Sequence, residues 1–74
     1  MPVDIELFGQ LLPGTPRRRV LDLKRPVTVR ETAHLLGLNP DDAGLVTING
    51  VQREMEDVVP PHCRLCFFPY MTGG

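Results

Sequence analysis

Only one stretch of this sequence carries helical periodicity, and it is short. Thr28-Val29-Arg30-Glu31 has the capping-box pattern. The Thr28 hydroxyl can accept from the backbone N–H of Glu31, and the Glu31 carboxylate can reach back. Val29, Ala33 and Leu36 follow at helical spacing and form one apolar stripe. Gly37 suits the position just past a helix, because it enters the left-handed region without a Cβ clash. The resulting helix covers about 28 to 36 and is too short to be stable alone. It has to lay its stripe on something, and the rest of the chain offers only strands and turns.

Val3, Ile5 and Leu7 alternate with Asp4, Glu6 and Phe8, the period of a half-buried strand. Leu12-Pro13-Gly14-Thr15-Pro16 is a turn. Leu21 and Leu23 then alternate with Val20 and Asp22 as a second strand, which the short connection makes antiparallel to the first. After the helix, Asn39-Pro40-Asp41-Asp42 starts a single capped turn. Val46 and Ile48 mark a third strand. Asn49-Gly50 is a two-residue hairpin signal, since both positions accept positive φ. A short fourth strand follows at Val51-Gln52. Residues 53 to 62 read as irregular, with one helical turn over Met55 to Val59 ended by Pro60-Pro61. Leu65 and Phe67 alternate with Cys66 and Phe68 in a last strand that Pro69 stops. The class is α+β, a mixed sheet of four to five strands with one main helix on one face.

Composition narrows the function classes. Seventy-four residues make one domain, 1–74, with 70–74 expected as a flexible tail. Apolar content of 42% and charged content of 23% are those of a folded globular protein. A net charge of −1 gives no general pull toward nucleic acid or anionic lipid. No apolar run approaches a membrane span, and Met1-Pro2-Val3-Asp4 lacks the features of a secretory signal. Two cysteines are too few for a disulfide scaffold. The expected location is the cytoplasm.

Three stretches in this element order carry a family resemblance. The first strand runs ELFGQL, the third runs into VTING, and the chain closes on FFPYMTGG. Together they resemble the MoaD/ThiS family of sulfur-carrier proteins, most closely the small subunit of molybdopterin synthase. The resemblance covers essentially the whole chain and implies a ubiquitin-like β-grasp fold. Two places depart from the family pattern. Pro60-Pro61-His62-Cys63 stands where an Asp-Gly-Asp-like turn is usual, and Tyr70-Met71 stands where Pro-Val is common.

The resemblance implies a chemistry for the tail. Gly73 and Gly74, having no Cβ, can thread a narrow channel in another protein. A ubiquitin-activating-type adenylyltransferase would use ATP and Mg²⁺ to adenylate the Gly74 carboxylate. A persulfide sulfur donor would replace AMP and leave a thiocarboxylate. The tail would then enter the large subunit of molybdopterin synthase and pass sulfur to a pterin precursor. This chain would bind no cofactor itself and would supply no general acid or base, acting as carrier and subunit rather than as an enzyme.

In a β-grasp sheet the first and last strands are neighbours, which places Phe8 near Phe68 on the face the helix does not cover. Exposed aromatic pairs mark interfaces. Phe8, Phe68, Pro69, Tyr70, Met71 and Thr72 are therefore the expected partner-binding residues. Loop 53–62 folded across this face is the alternative way to cover it.

Cys63-Arg64-Leu65-Cys66 is a C-x-x-C. At the start of a strand, positions three apart point to opposite faces and sit about 10 Å from each other, too far for a disulfide. Only His62 is close enough to add a ligand, so no metal site is expected. His34 lies off the helix stripe. Arg17-Arg18-Arg19 reads as a solvated edge that discourages edge-to-edge pairing, or as a match for an acidic patch on a partner.

Other readings share these features. A sulfur carrier for thiazole, tRNA thiolation or amino-acid synthesis would need the same fold and tail. A ubiquitin-like modifier would join Gly74 to lysines of other proteins; with Lys24 as its only lysine it could not form mixed lysine-linked chains. A plain adaptor would carry an inert tail.

Overall fold

A computed structural model describes residues 1–70, and the expectations placed on residues 71–74 lie outside the described residues. The elements are β1 (Pro2–Leu7), β2 (Arg18–Asp22), α1 (Val29–Leu36), a 3₁₀ turn (Pro40–Asp42), β3 (Ala43–Ile48), β4 (Val51–Arg53) and β5 (Arg64–Pro69). The five strands form one sheet in the order β2-β1-β5-β3-β4. β1 pairs antiparallel with β2 and parallel with β5, while β3 runs antiparallel to both β4 and β5. This is the expected α+β β-grasp arrangement, with five strands and one helix on one face.

Strand alternation builds the core. Val3, Ile5 and Leu7 of β1, Leu65 and Phe67 of β5, and Val46 and Ile48 of β3 all point to the helix side and are buried. There they meet the Val29, Ala33 and Leu36 stripe of α1. Phe67 is the largest fully buried side chain, so Phe67→Ala would cost about 3–5 kcal/mol. The Asn49-Gly50 hairpin forms with φ of 51° and 82° at the two positions, as its sequence requires.

The helix start shows why residues 53–62 depart from the expected helical turn. The capping box is present: Glu31 N–H donates to Thr28 Oγ1 at 3.1 Å, and Thr28 N–H donates to Glu31 Oε1 at 3.2 Å. Two further N–H groups of the first turn, on Val29 and Arg30, donate to the carbonyls of Asp57 and Met55, each at 2.9 Å. These are the donors that a helix cannot satisfy internally. The 53–62 segment is therefore extended past α1, with its carbonyls aimed at the helix end. Its first reversal is a β-turn in which Asp57 N–H donates to the Glu54 carbonyl at 3.1 Å and Glu54 N–H donates to Asp57 Oδ2 at 2.8 Å. Val58 then bridges Thr28, and Val59 enters the core.

The turn before β5 also has a physical reading. His62 takes a left-handed φ of 56°, the conformation a glycine would supply at such a reversal. Its N–H donates to the Pro2 carbonyl at 2.9 Å, which seats the start of β5 beside β1.

Candidate functional site

The face opposite α1 is where the first and last strands meet most closely. Phe8 continues the ladder one residue beyond β1, its N–H donating to the Phe67 carbonyl at 3.0 Å. That register sets Phe8 beside Phe68. Their rings stack with centroids 4.4 Å apart and planes 9° from parallel. Leu45 of β3 sits opposite Phe68 on the other side. An apolar row of Phe8, Phe68 and Leu45 therefore crosses three strands. Both rings are half-buried, Leu45 is exposed, and Tyr70 is 63% exposed at the end of the row. The 53–62 segment does not cover this face, because its hydrogen bonds tie it to α1 on the other side.

The structure therefore brings Phe8, Phe68, Pro69 and Tyr70 into one region. Met71, Thr72, Gly73 and Gly74 lie outside the described residues. β5 runs through Pro69 rather than stopping before it. Pro69 pairs with Ala43, and the register slips between Ala43 and Leu45, leaving Gly44 as the extra residue of a bulge. Proline has no N–H to give a ladder, and a bulge is where a sheet tolerates it.

Two glycines that sequence reasoning did not assign to the site hold its exit. Gly9 has φ of +67°, and a Cβ there would stand 2.7 Å from Pro69 Cγ. A Cβ at Gly44 would stand 2.8 Å from Tyr70 Cα. The chain leaves the sheet between these two positions, with room only for glycine on either side. The available signal was an isolated glycine in or beside a strand pattern, which marks a bulge or a close backbone approach.

Farther along the same face, Glu6 of β1 lies between two guanidinium groups. Its carboxylate bonds Arg64 of β5 and approaches Arg18 of β2 at 3.5 Å. Burial pushes the Glu6 pKa up, but the hydrogen bond and charge of Arg64, with those of Arg18, outweigh it and hold the carboxyl below its usual range. Glu6 thus ties β1 to both of its neighbours.

The cysteines lie on opposite faces. Cys63 is in the core, where loss of hydration pushes its thiol pKa up. Cys66 is buried on the open face beside Phe68. Both are free thiols. Among the described residues, no group of three or more His, Cys, Asp or Glu side chains could hold a metal ion. His34 is exposed on α1 and His62 is exposed in its turn. Among the described residues, no helix is long and apolar enough to cross a membrane.

Sheet order, helix placement and the central exit strand together define a ubiquitin-like β-grasp fold. No protein-family model and no curated protein matches the sequence. Among solved structures, the crystal structure of SAMP1 from Haloferax volcanii superposes over all of both chains, with a TM-score of 0.75 and 22% sequence identity. That likeness is one of fold.

Proposed function

We propose that this protein is a ubiquitin-like carrier that acts through the carboxylate of Gly74, and that its cargo is sulfur. The observation that carries the reading is the exit of the chain. A central strand delivers Pro69 and Tyr70 between Gly9 and Gly44, beside a half-buried aromatic stack, and the sequence beyond is Met71-Thr72-Gly73-Gly74. A fold that spends two glycines and a bulge on that exit suits a protein whose next residues must reach into a partner.

In this reading the activating partner holds ATP and Mg²⁺. A Gly74 carboxylate oxygen attacks the α-phosphorus, pyrophosphate leaves, and an acyl adenylate forms. A persulfide sulfur attacks the acyl carbon and AMP leaves. A thiol then cleaves the S–S bond, and Gly74 keeps the sulfur as a thiocarboxylate. The FFP-x-x-TGG ending supports molybdopterin synthase as the assembly served, with the large subunit receiving the tail and Phe8, Phe68, Pro69, Tyr70, Met71 and Thr72 forming the contact. Other sulfur-transfer pathways would use the same thiocarboxylate and differ only in the acceptor, whereas protein conjugation would pass the Gly74 acyl group itself to a lysine amine.

The test is the intact mass after incubation with ATP, Mg²⁺, an adenylating enzyme proven on another carrier, and a sulfide source. The expected product has one oxygen replaced by sulfur at Gly74, and deleting Gly74 abolishes it. Unchanged mass sinks the sulfur-carrier reading. Adducts to lysines of other proteins, without the sulfur exchange, assign a modifier instead.

A further inference from the structure

We propose that the outer edge of β2 is a second interaction surface, which takes an acidic, extended peptide segment of a partner protein as a sixth strand. This does not depend on the chemistry of the tail. Among the described residues β2 is an edge strand, paired with β1 alone. At its two ends, Leu7 N–H donates to the Arg17 carbonyl at 2.7 Å and Leu23 N–H donates to the Met1 carbonyl at 2.9 Å. In an antiparallel ladder the bonded residues alternate, so Arg17, Arg19, Leu21 and Leu23 turn their backbone groups toward β1. Arg18, Val20 and Asp22 turn theirs outward, where no other described segment hydrogen-bonds them. Val20, 63% exposed, stands at the centre of this free edge.

Charge selects the occupant. Residues 17–25 hold five of the eight basic residues, Arg17, Arg18, Arg19, Lys24 and Arg25, and one of the nine acids, Asp22, while across the ladder Glu6 takes up Arg18 and Asp4 faces Val20. Asp22 is itself engaged by the Met1 amino group at 2.9 Å. Among the described residues, Arg17, Arg19, Lys24 and Arg25 have no carboxylate within ion-pair distance. A chain with net charge −1 therefore concentrates unpaired positive charge along one open strand.

An antiparallel copy of β2 centred on Val20 would set Arg18 against Asp22, but it would bring a second cluster of unpaired Arg17, Arg19, Lys24 and Arg25 to the same edge, and that net like charge disfavours self-pairing. The same charges favour a strand bearing glutamate or aspartate at alternate positions. Free backbone donors and acceptors, with an exposed valine between them, suit a peptide strand. A nucleic-acid backbone offers no N–H donors and would leave the outward carbonyls of Arg18, Val20 and Asp22 unpaired.

The test titrates the full chain with a short blocked peptide alternating glutamate and valine, followed by backbone amide NMR and hydrogen exchange. The expected result is shifts centred on Arg18, Val20 and Asp22, slowed exchange of those three amides, and weakening with salt. Replacing Arg17, Arg18 and Arg19 with glutamate is expected to lower affinity by about tenfold or more, while a peptide alternating lysine and valine gives no protection. Because Arg18 also contacts Glu6, the pair Arg17→Glu and Arg19→Glu is measured separately and should lose affinity with the sheet intact. Shifts without protection of the three amides would reduce the surface to loose ion attraction and overturn strand addition. Equal or tighter binding of a single-stranded oligonucleotide would assign the edge to nucleic acid instead. Self-association of the protein alone with protection of the same amides would assign it to a second copy, and no edge shift up to the peptide's solubility limit would end the proposal.

Discussion

Asn49 and Arg64 hold each other through two hydrogen bonds. Asn49 N–H donates to the Arg64 carbonyl, and Arg64 N–H donates to Asn49 Oδ1, each at 2.9 Å. One side chain thus sets the β3–β4 hairpin and anchors the first residue of β5. Asn49→Gly keeps the positive φ and loses only the side-chain acceptor, for a cost of about 1 kcal/mol. Asn49→Ala adds left-handed strain of about 1–2 kcal/mol. Urea unfolding should rank wild type above Asn49→Gly and Asn49→Gly above Asn49→Ala. Equal stability of the two variants would remove the backbone part of this account.

The Phe8–Phe68 stack should behave as a coupled pair. A double-mutant cycle with Phe8→Ala and Phe68→Ala is expected to give a coupling of about 0.5–1.5 kcal/mol. Each single change should cost about 1–3 kcal/mol, less than a core phenylalanine because both rings are half-buried. If the row is the docking surface, Phe68→Ala also weakens binding of the proposed partner, a molybdopterin synthase large subunit, read by calorimetry on folded protein. Unchanged affinity would move the contact elsewhere.

Gly9→Ala and Gly44→Ala test the exit from two sides. Gly9→Ala carries a left-handed penalty of about 1–2 kcal/mol and pushes Pro69. Gly44→Ala meets backbone of Tyr70, and relieving that overlap is expected to cost roughly 1–3 kcal/mol. Amide shifts at Phe68 and Tyr70 should move in both variants. A Gly44→Ala protein with native Tyr70 shifts would show that the exit has room for a methyl group at this position.

Glu6 gives the fold an acid limb. Its folded pKa is depressed, because Arg64 and Arg18 outweigh the opposing effect of burial. The unfolded chain therefore binds more protons as pH falls. This contribution is fully present above the ordinary glutamate range and is lost as pH drops through the folded value. Glu56, bonded to Arg30, and Asp22, bonded to the Met1 amino group, titrate in the same direction. Glu6→Gln should flatten the fall in stability with acid, and salt should shrink the difference between the two proteins. Parallel acid curves for Glu6→Gln and wild type would assign the limb to the other carboxylates.

Much of this was legible in the sequence, for identifiable reasons. Thr28, Glu31 and Gly37 encode both ends of α1 through local hydrogen bonds and backbone sterics. Asn49-Gly50 encodes its hairpin in the same way. The meeting of Phe8 and Phe68 follows from the fold's placement of β1 beside β5. Residues 53–62 are irregular as their sequence implies, but the helical turn expected over Met55 to Val59 is absent because the free N–H groups of Val29 and Arg30 draw the carbonyls of Asp57 and Met55 into an extended path. Gly9 and Gly44 escaped notice as site residues for a related reason. Neither is adjacent in sequence to the residue it accommodates, and only the β3–β5 register and the end of β1 show that Pro69 and Tyr70 pass between them.

The strand order has a consequence for when the protein can exist at all. β1 with β2, and β3 with β4, are local hairpins that can form as soon as they are made. Within the sheet, nothing joins the two hairpins except β5, which lies between β1 and β3. During synthesis the sheet cannot close until residues 64–69 have left the ribosome. Such long-range closure makes assembly slow and concerted. On the function proposed above, an activating enzyme reading the face around Phe8 and Phe68 would thereby read the state of the whole chain, since a product truncated before β5 offers neither that surface nor anything beyond it.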